Sequence, residues 1–240
     1  MSRIWRRMVL LKWKADACPS AIERAFNMHR SFARDIPSVL SVSEARTFTG
    51  GSDGGGAYPG EHDVNRGYHS AVELIMDCES PEQVKERYMS HAFHTAAAAK
   101  IDPLIEAAWP LDWLEERSTL AVPPATSSFV KHIVYFKWTA DATPVQRGDL
   151  LAAWRETIPA MPGVLAMSCG EAVRWERGEQ HGYDCCISVD LDLKSPDGIQ
   201  ELHDYHSNED FLKVAKAHLR PIRKDFAVLD CAFHSGGMNV

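Results

Sequence analysis

Of the eleven histidines in the chain, His94 stands six positions after Tyr88. That pair could do acid–base work near neutral pH, because an imidazole can take a proton while a phenol donates a hydrogen bond to an oxygen that gains charge. In an unbroken helix six residues turn through about 600°, which leaves the two side chains about 240° apart. They converge only if the helix breaks between them, and Ser90-His91 is where such a break is expected. Arg7, a permanent cation, could hold a carboxylate or thioester oxygen beside them. The competing reading is structural, with Tyr88 capping a core and His94 a half-exposed helix residue.

Other residues with chemical potential carry less. His91 and His94, and again His203 and His206, have the i, i+3 spacing that can chelate a metal, but no third ligand sits at a defined distance, so no metal site is expected. Cys185 and Cys186 are adjacent on a strand and must face opposite ways. Gly50 to Gly56 lacks the lysine-serine ending of a phosphate loop and reads as a flexible hairpin tip. No cofactor is expected. Tyr205, with His203, Asp204 and His206, forms a second polar cluster.

The elements that must position these groups are written twice. Leu11 to Pro19 reads LKWKADACP and Phe136 to Pro144 reads FKWTADATP, and Glu79-Ser80-Pro81 recurs as Lys194-Ser195-Pro196. The offset falls from 125 at Lys12/Lys137 to 115 at Pro81/Pro196, as expected if the first copy carries an insertion at the glycine run. His132, Val134, Phe136 and Trp138 alternate with Ile133, Tyr135 and Lys137, and Arg7, Val9, Leu11 and Trp13 alternate with Met8, Leu10 and Lys12. Both faces are largely apolar, so each strand should be covered by helices on one side and by another sheet on the other. Pro19 and Pro144 open helices; Ile36-Pro37 and Ile158-Pro159 close them. Ser80-Pro81-Glu82-Gln83 and Ser195-Pro196-Asp197 open the next helices. Each copy is thus β-α-β-β-α-(α)-β, the split βαβ order of ferredoxin-like folds. The boundaries are residues 1–117, a proline- and serine-rich linker at 118–128, and residues 129–240.

Composition sets the outer limits. With 26 basic and 33 acidic residues the net charge is −7 and the pI about 5.9, which argues against nonspecific binding to nucleic acid. No apolar run is long enough to span a membrane, and no secretory core follows Arg3, Arg6 and Arg7. Six cysteines without CxxC spacing read as reduced thiols, so a cytoplasmic location is expected.

The ordered set formed by His132 to Lys137, Ile158-Pro159…Pro162-Gly163-Val164, Gly182-Tyr183, the Ser-Pro helix start, Tyr88-x5-His94 and the terminal aspartate strand resembles the stress-responsive dimeric α/β-barrel (Dabb) domain. The resemblance covers about 110 residues of each copy. It implies an α+β protein of two ferredoxin-like α/β-barrel domains packed sheet to sheet as an intramolecular pseudo-dimer. The family includes stress-associated proteins and polyketide cyclases similar to olivetolic acid cyclase, which close an aromatic ring without a cofactor. In those cyclases a Tyr-x5-His pair and a histidine at the start of the first strand line the cavity. Here that set is divided: Tyr88 and His94 with Arg7 in the first copy, His132 and Tyr205 with Phe211 in the second. The resemblance implies His94, Tyr88 and Arg7 as catalytic groups and Trp13, Val9, Leu11, His132 and Tyr205 as substrate-binding ones. The substrate would be a small molecule, a β-keto chain from a polyketide synthase. The alternative is a non-enzymatic stress, ligand-binding or accessory protein.

Overall fold

The computed structural model describes residues 3–47, 68, 70–116, 128–173, 183–195 and 198–233. The glycine run Gly50 to Gly56 and all of the linker except Ser128 lie outside the described residues. The first half runs β1 (Arg3–Trp13), α1 (Pro19–Asp35), β2 (Val39–Thr47), β3 (Ser70–Met76), α2 (Pro81–Val84), a π turn (Lys85–Met89), α3 (Ala92–Ile101) and β4 (Ile105–Glu116). The second runs β5 (Phe129–Trp138), α4 (Pro144–Thr157), β6 (Val164–Ala172), β7 (Cys185–Asp192), α5 (Ile199–Ser207), α6 (Glu209–Val214), a π turn (Ala215–Leu219) and β8 (Arg223–Phe233).

Local chemistry accounts for the boundaries. Pro19 and Pro144 sit in the first turns of α1 and α4, where the missing N–H costs nothing, and Thr143 and Gln146 form a reciprocal capping box. One start differs from expectation: α5 begins at Ile199, not at Ser195-Pro196-Asp197. Ser195 Oγ accepts the Gly198 N–H (3.0 Å) while the Glu201 carboxylate accepts the N–H groups of Lys194 and Ser195. The turn before the helix passes through Gly198 at φ 72°, a left-handed conformation that favours glycine.

The expected pair of sheets is one closed antiparallel barrel in the order β1-β3-β2-β8-β5-β7-β6-β4. Each half contributes four strands in the ferredoxin-like order, and the free edges join through short seams, Arg46↔Ala232 and Thr47↔Cys231 between β2 and β8, Trp113↔Ala172 and Leu114↔Glu171 between β4 and β6. Closure removes four edges that two stacked sheets would have left unpaired. Gly170 permits the second seam, because a methyl group there would overlap the carbonyl of Leu114.

Three apolar clusters follow from strand alternation. Trp5, Leu11, Trp13, Phe26 and Phe32 belong to the first helix-covered core. Val130, Val134, Phe136, Leu150 and Trp154 belong to its counterpart in the second half. Inside the barrel, Met8, Leu10 and Trp109 meet Ile133, Tyr135 and Leu229, so this core is shared. Cys185 lies in the helix-side core and Cys186 in the barrel, as alternation requires, and all six thiols are free.

The barrel also buries charge. Arg6 Nε pairs with Glu115 (2.7 Å) and its Nη1 with Glu73 (3.1 Å); Lys131 Nζ pairs with Asp190 (2.5 Å) and, across the halves, with Glu73 (3.4 Å). Burial alone would raise Glu73, yet Lys131 and Arg6 hold it below the usual carboxylate range. Burial pushes Asp190 and Glu115 upward. Among the described residues no helix is long and apolar enough to cross a membrane.

Candidate functional site

The helical segment after β3 breaks where expected, for a visible reason. Ser80 accepts the Gln83 N–H and starts α2, and the chain then widens into the π turn. Ser90 ends it by sending both its N–H (2.9 Å) and its hydroxyl (2.8 Å) to the Lys85 carbonyl. His91 leaves the helix at ψ 133° and caps α3 through Nδ1, which accepts the Phe93 N–H. The break brings the Tyr88 and His94 rings to 4.4 Å between centroids.

Both face a cavity of about 440 Å³ between the helices and β1, β3 and β4, within the range of small-molecule sites. His94 Nδ1 lies 3.1 Å from the Met89 carbonyl. A carbonyl only accepts, so the neutral ring carries its proton on Nδ1, leaving the Nε2 lone pair as the base. Burial lowers the His94 pKa below 6.5, with Arg7 adding to the effect and the Met89 bond opposing it, so the imidazole is neutral at pH 7. Tyr88 is almost fully buried, and burial pushes its pKa far above the tyrosine range; it stays a hydrogen-bond donor.

Arg7 lines the cavity with its charge already directed: Nε and Nη2 grip the two oxygens of Asp112 at 2.8 and 3.0 Å, and the Trp5 indole donates to the same carboxylate. The carboxylate held by Arg7 is therefore the chain's own. Val9 and Leu11 line the cavity wall. Trp13 shares their face but does not reach it; its ring packs edge-on against Phe26 at 5.6 Å and its Nε1 donates to Ser70, which makes it a core residue.

His29 is the lining residue that sequence reasoning missed. It stands on α1 between Phe26 and Phe32 at three-residue spacing, a polar side chain on a buried stripe, and that was the available signal. Its buried Nδ1 has no hydrogen-bond partner among the described residues. Burial, then the nearby His94, holds its pKa down to about 4, so it is neutral as well.

His132 and Tyr205 are not in this cavity. They line a second one of about 240 Å³ in the other half. Arg7 pairs with Asp112 across β1 and β4, and His132 with Asp230 at the matching register of β5 and β8. His132 Nδ1 donates to Asp230 (2.7 Å), and His206 packs edge-on against the His132 ring at 4.6 Å. The Phe211 ring lies 4.8 Å from Tyr205, the place that His94 takes beside Tyr88. The two sets therefore occupy separate cavities, so His132 and Tyr205 do not join Val9 and Leu11 in one site. Among the described residues no group of three or more histidine, cysteine, aspartate or glutamate side chains could hold a metal ion.

No curated protein matches the chain. Residues 130–233 match the family model of the stress responsive A/B barrel domain, and the second half carries that domain. Solved structures resemble the whole chain. One is a monooxygenase candidate from Lactobacillus acidophilus, at 7% identity over 99% of each chain with a TM-score of 0.59. Another is a monooxygenase candidate from Fusobacterium nucleatum, at 12% identity over 99% of this chain and 96% of that one, with a TM-score of 0.60. A third is an anthrone oxidase-like protein, at 11% identity over 99% and 95% of the two chains, with a TM-score of 0.56. Identities this low establish a common fold, the ferredoxin-like α+β architecture, and leave chemistry to the residues.

Proposed function

We propose that the cavity of the first half is a cofactor-free acid–base site that closes a ring in a linear β-keto chain of the kind a polyketide synthase makes. The observation that carries this reading is the convergence of Tyr88 and His94 on one cavity, with the Nε2 of a neutral imidazole left to act as base. In this reading Nε2 takes the acidic proton from the carbon between two carbonyls. The electron pair moves onto the enolate oxygen, which accepts a hydrogen bond from the Tyr88 hydroxyl. The enolate carbon then attacks a distant ketone of the same chain, a carbon–carbon bond forms, and the new alkoxide recovers the proton from the His94 imidazolium. Arg7, fixed by Asp112, supplies positive charge on the oxygen side. Val9, Leu11 and Phe32 supply an apolar wall for the rest of the chain.

The proposal includes the domain plan: a first domain of the same kind at residues 1–117, a linker at 118–128 and the second domain at 129–240. The competing reading is a non-enzymatic stress, ligand-binding or accessory role, in which a base placed in a cavity would be incidental. The test is single-turnover conversion of a linear β-keto thioester. Tyr88→Phe should slow it by about 10-fold to 10³-fold if the hydroxyl contributes one hydrogen bond to an oxyanion. An unchanged rate in that variant would remove Tyr88 from the mechanism, and no turnover by the parent with any β-keto thioester would leave binding as the better reading.

A further inference from the structure

The two halves have diverged in charge at one end of their cavities. From the last helical segment into the final strand the first half reads Thr95 to Glu106, TAAAAKIDPLIE, and the second reads Lys213 to Lys224, KVAKAHLRPIRK. The common Asp-Pro and Arg-Pro steps align Asp102 with Arg220 and Ile105 with Arg223, the same displacement that relates Asp112 to Asp230. The second stretch holds five lysines and arginines and no acid. Asp102 and Ile105 line the first cavity; Arg220 and Arg223 line the second.

Neither of those arginines makes an ion pair among the described residues. Arg223 lies over the Phe226 ring at 4.2 Å, and Asp225, which acts on it electrostatically, is paired with Lys137 at 3.7 Å. Burial and the adjacent Arg220 both disfavour the Arg223 charge. Arg220, exposed, and Arg223, partly buried, thus stand on a cavity walled by Val134, Phe136, Trp154 and Phe211, whose lining includes no acidic side chain. An arrangement of this kind is relieved by an anion whose body is apolar. His132, paired with Asp230, lines the same cavity six residues along β5 from Trp138, the strand partner of Arg223. A volume of about 240 Å³ is room for about eight water volumes, and so for a ligand on the order of ten heavy atoms.

We propose that the second cavity binds a small carboxylate with an aromatic or aliphatic body, its carboxylate on Arg220 and Arg223 and its apolar part against Phe136, Trp154 and Phe211. This site is independent of the acid–base chemistry assigned to the first half.

The experiment is calorimetric titration of the full chain at pH 7 and low salt with 3-phenylpropanoate and octanoate, beside 3-phenylpropanamide and octanamide. The carboxylates should bind more tightly than their amides by about tenfold or more, which corresponds to about 1.4 kcal/mol. The Arg220→Gln/Arg223→Gln double variant should erase that preference. Leu212→Trp, at an exposed position on the rim of the second cavity, should weaken binding, whereas Met89→Trp, at an exposed position on the first, should not. Equal affinity for acid and amide, a preference that survives the double variant, loss through Met89→Trp instead, or no saturable binding of either carboxylate would each overturn the proposal.

Discussion

Replacing His94 with alanine is expected to slow single-turnover ring closure of a linear β-keto thioester by about 10² to 10⁴, the range for loss of a positioned acid–base group. The fold should survive, because alanine is the best helix former and His94 is a half-buried residue in the first turn of α3. Unchanged circular dichroism beside the lost rate would separate chemistry from unfolding. The pH profile gives a second check. Burial lowers the pKa of His94, so most of the base is available at pH 7 and the rate should fall as pH drops through a value below 6.5. An acid limb above 6.5 would assign the proton transfer to another group. His132→Ala should cost less, because Phe211 stands where a second base would be. Equal rates for the parent and His94→Ala would end the case for this base, and a larger loss in His132→Ala would move the chemistry to the second half.

The repeat, the strand faces and the helix break were legible because each follows from local rules: period-two alternation in β1 and β5, proline at helix starts, and serine competing for backbone at Ser90. The barrel seams were not. Which edges meet depends on the packing of two whole sheets, and only Gly170, too crowded for any side chain, marks the join. Trp13 was placed on the correct face but not at the correct depth, because alternation assigns a side without saying how far a helix covers it. His29 was overlooked for a related reason. A lone histidine on the apolar stripe of α1 reads as a tolerated core residue until the cavity beneath it is seen. Asp112 and Asp230 become meaningful only through register, which sets each opposite the cation or imidazole of the neighbouring strand.

Lys131→Met is expected to destabilise the chain by about 3–5 kcal/mol, measured as the change in unfolding free energy in urea at pH 7. Lys131 is 1% exposed and lies between Asp190 and Glu73, so its removal takes the paired cation from buried Asp190 and leaves buried Glu73 with Arg6 alone. Burial would lower the lysine pKa, but Asp190 and Glu73 more than offset this and hold it above 10.5. A cation whose folded pKa is raised contributes its full stability below the unfolded value and loses it as pH rises through the folded one. The gap between parent and variant should therefore hold across neutral pH and close only above about 10.5. Adding Asp190→Asn to Lys131→Met should recover about half of the loss, because the desolvated charge that made the single change costly is then gone. The Lys131–Glu73 pair joins the two halves, and both line the barrel whose apolar core draws on each. Parent and variant alike should therefore unfold in one transition. A loss below about 1 kcal/mol, or two separate transitions, would show that the barrel interior does not hold the halves together in this way.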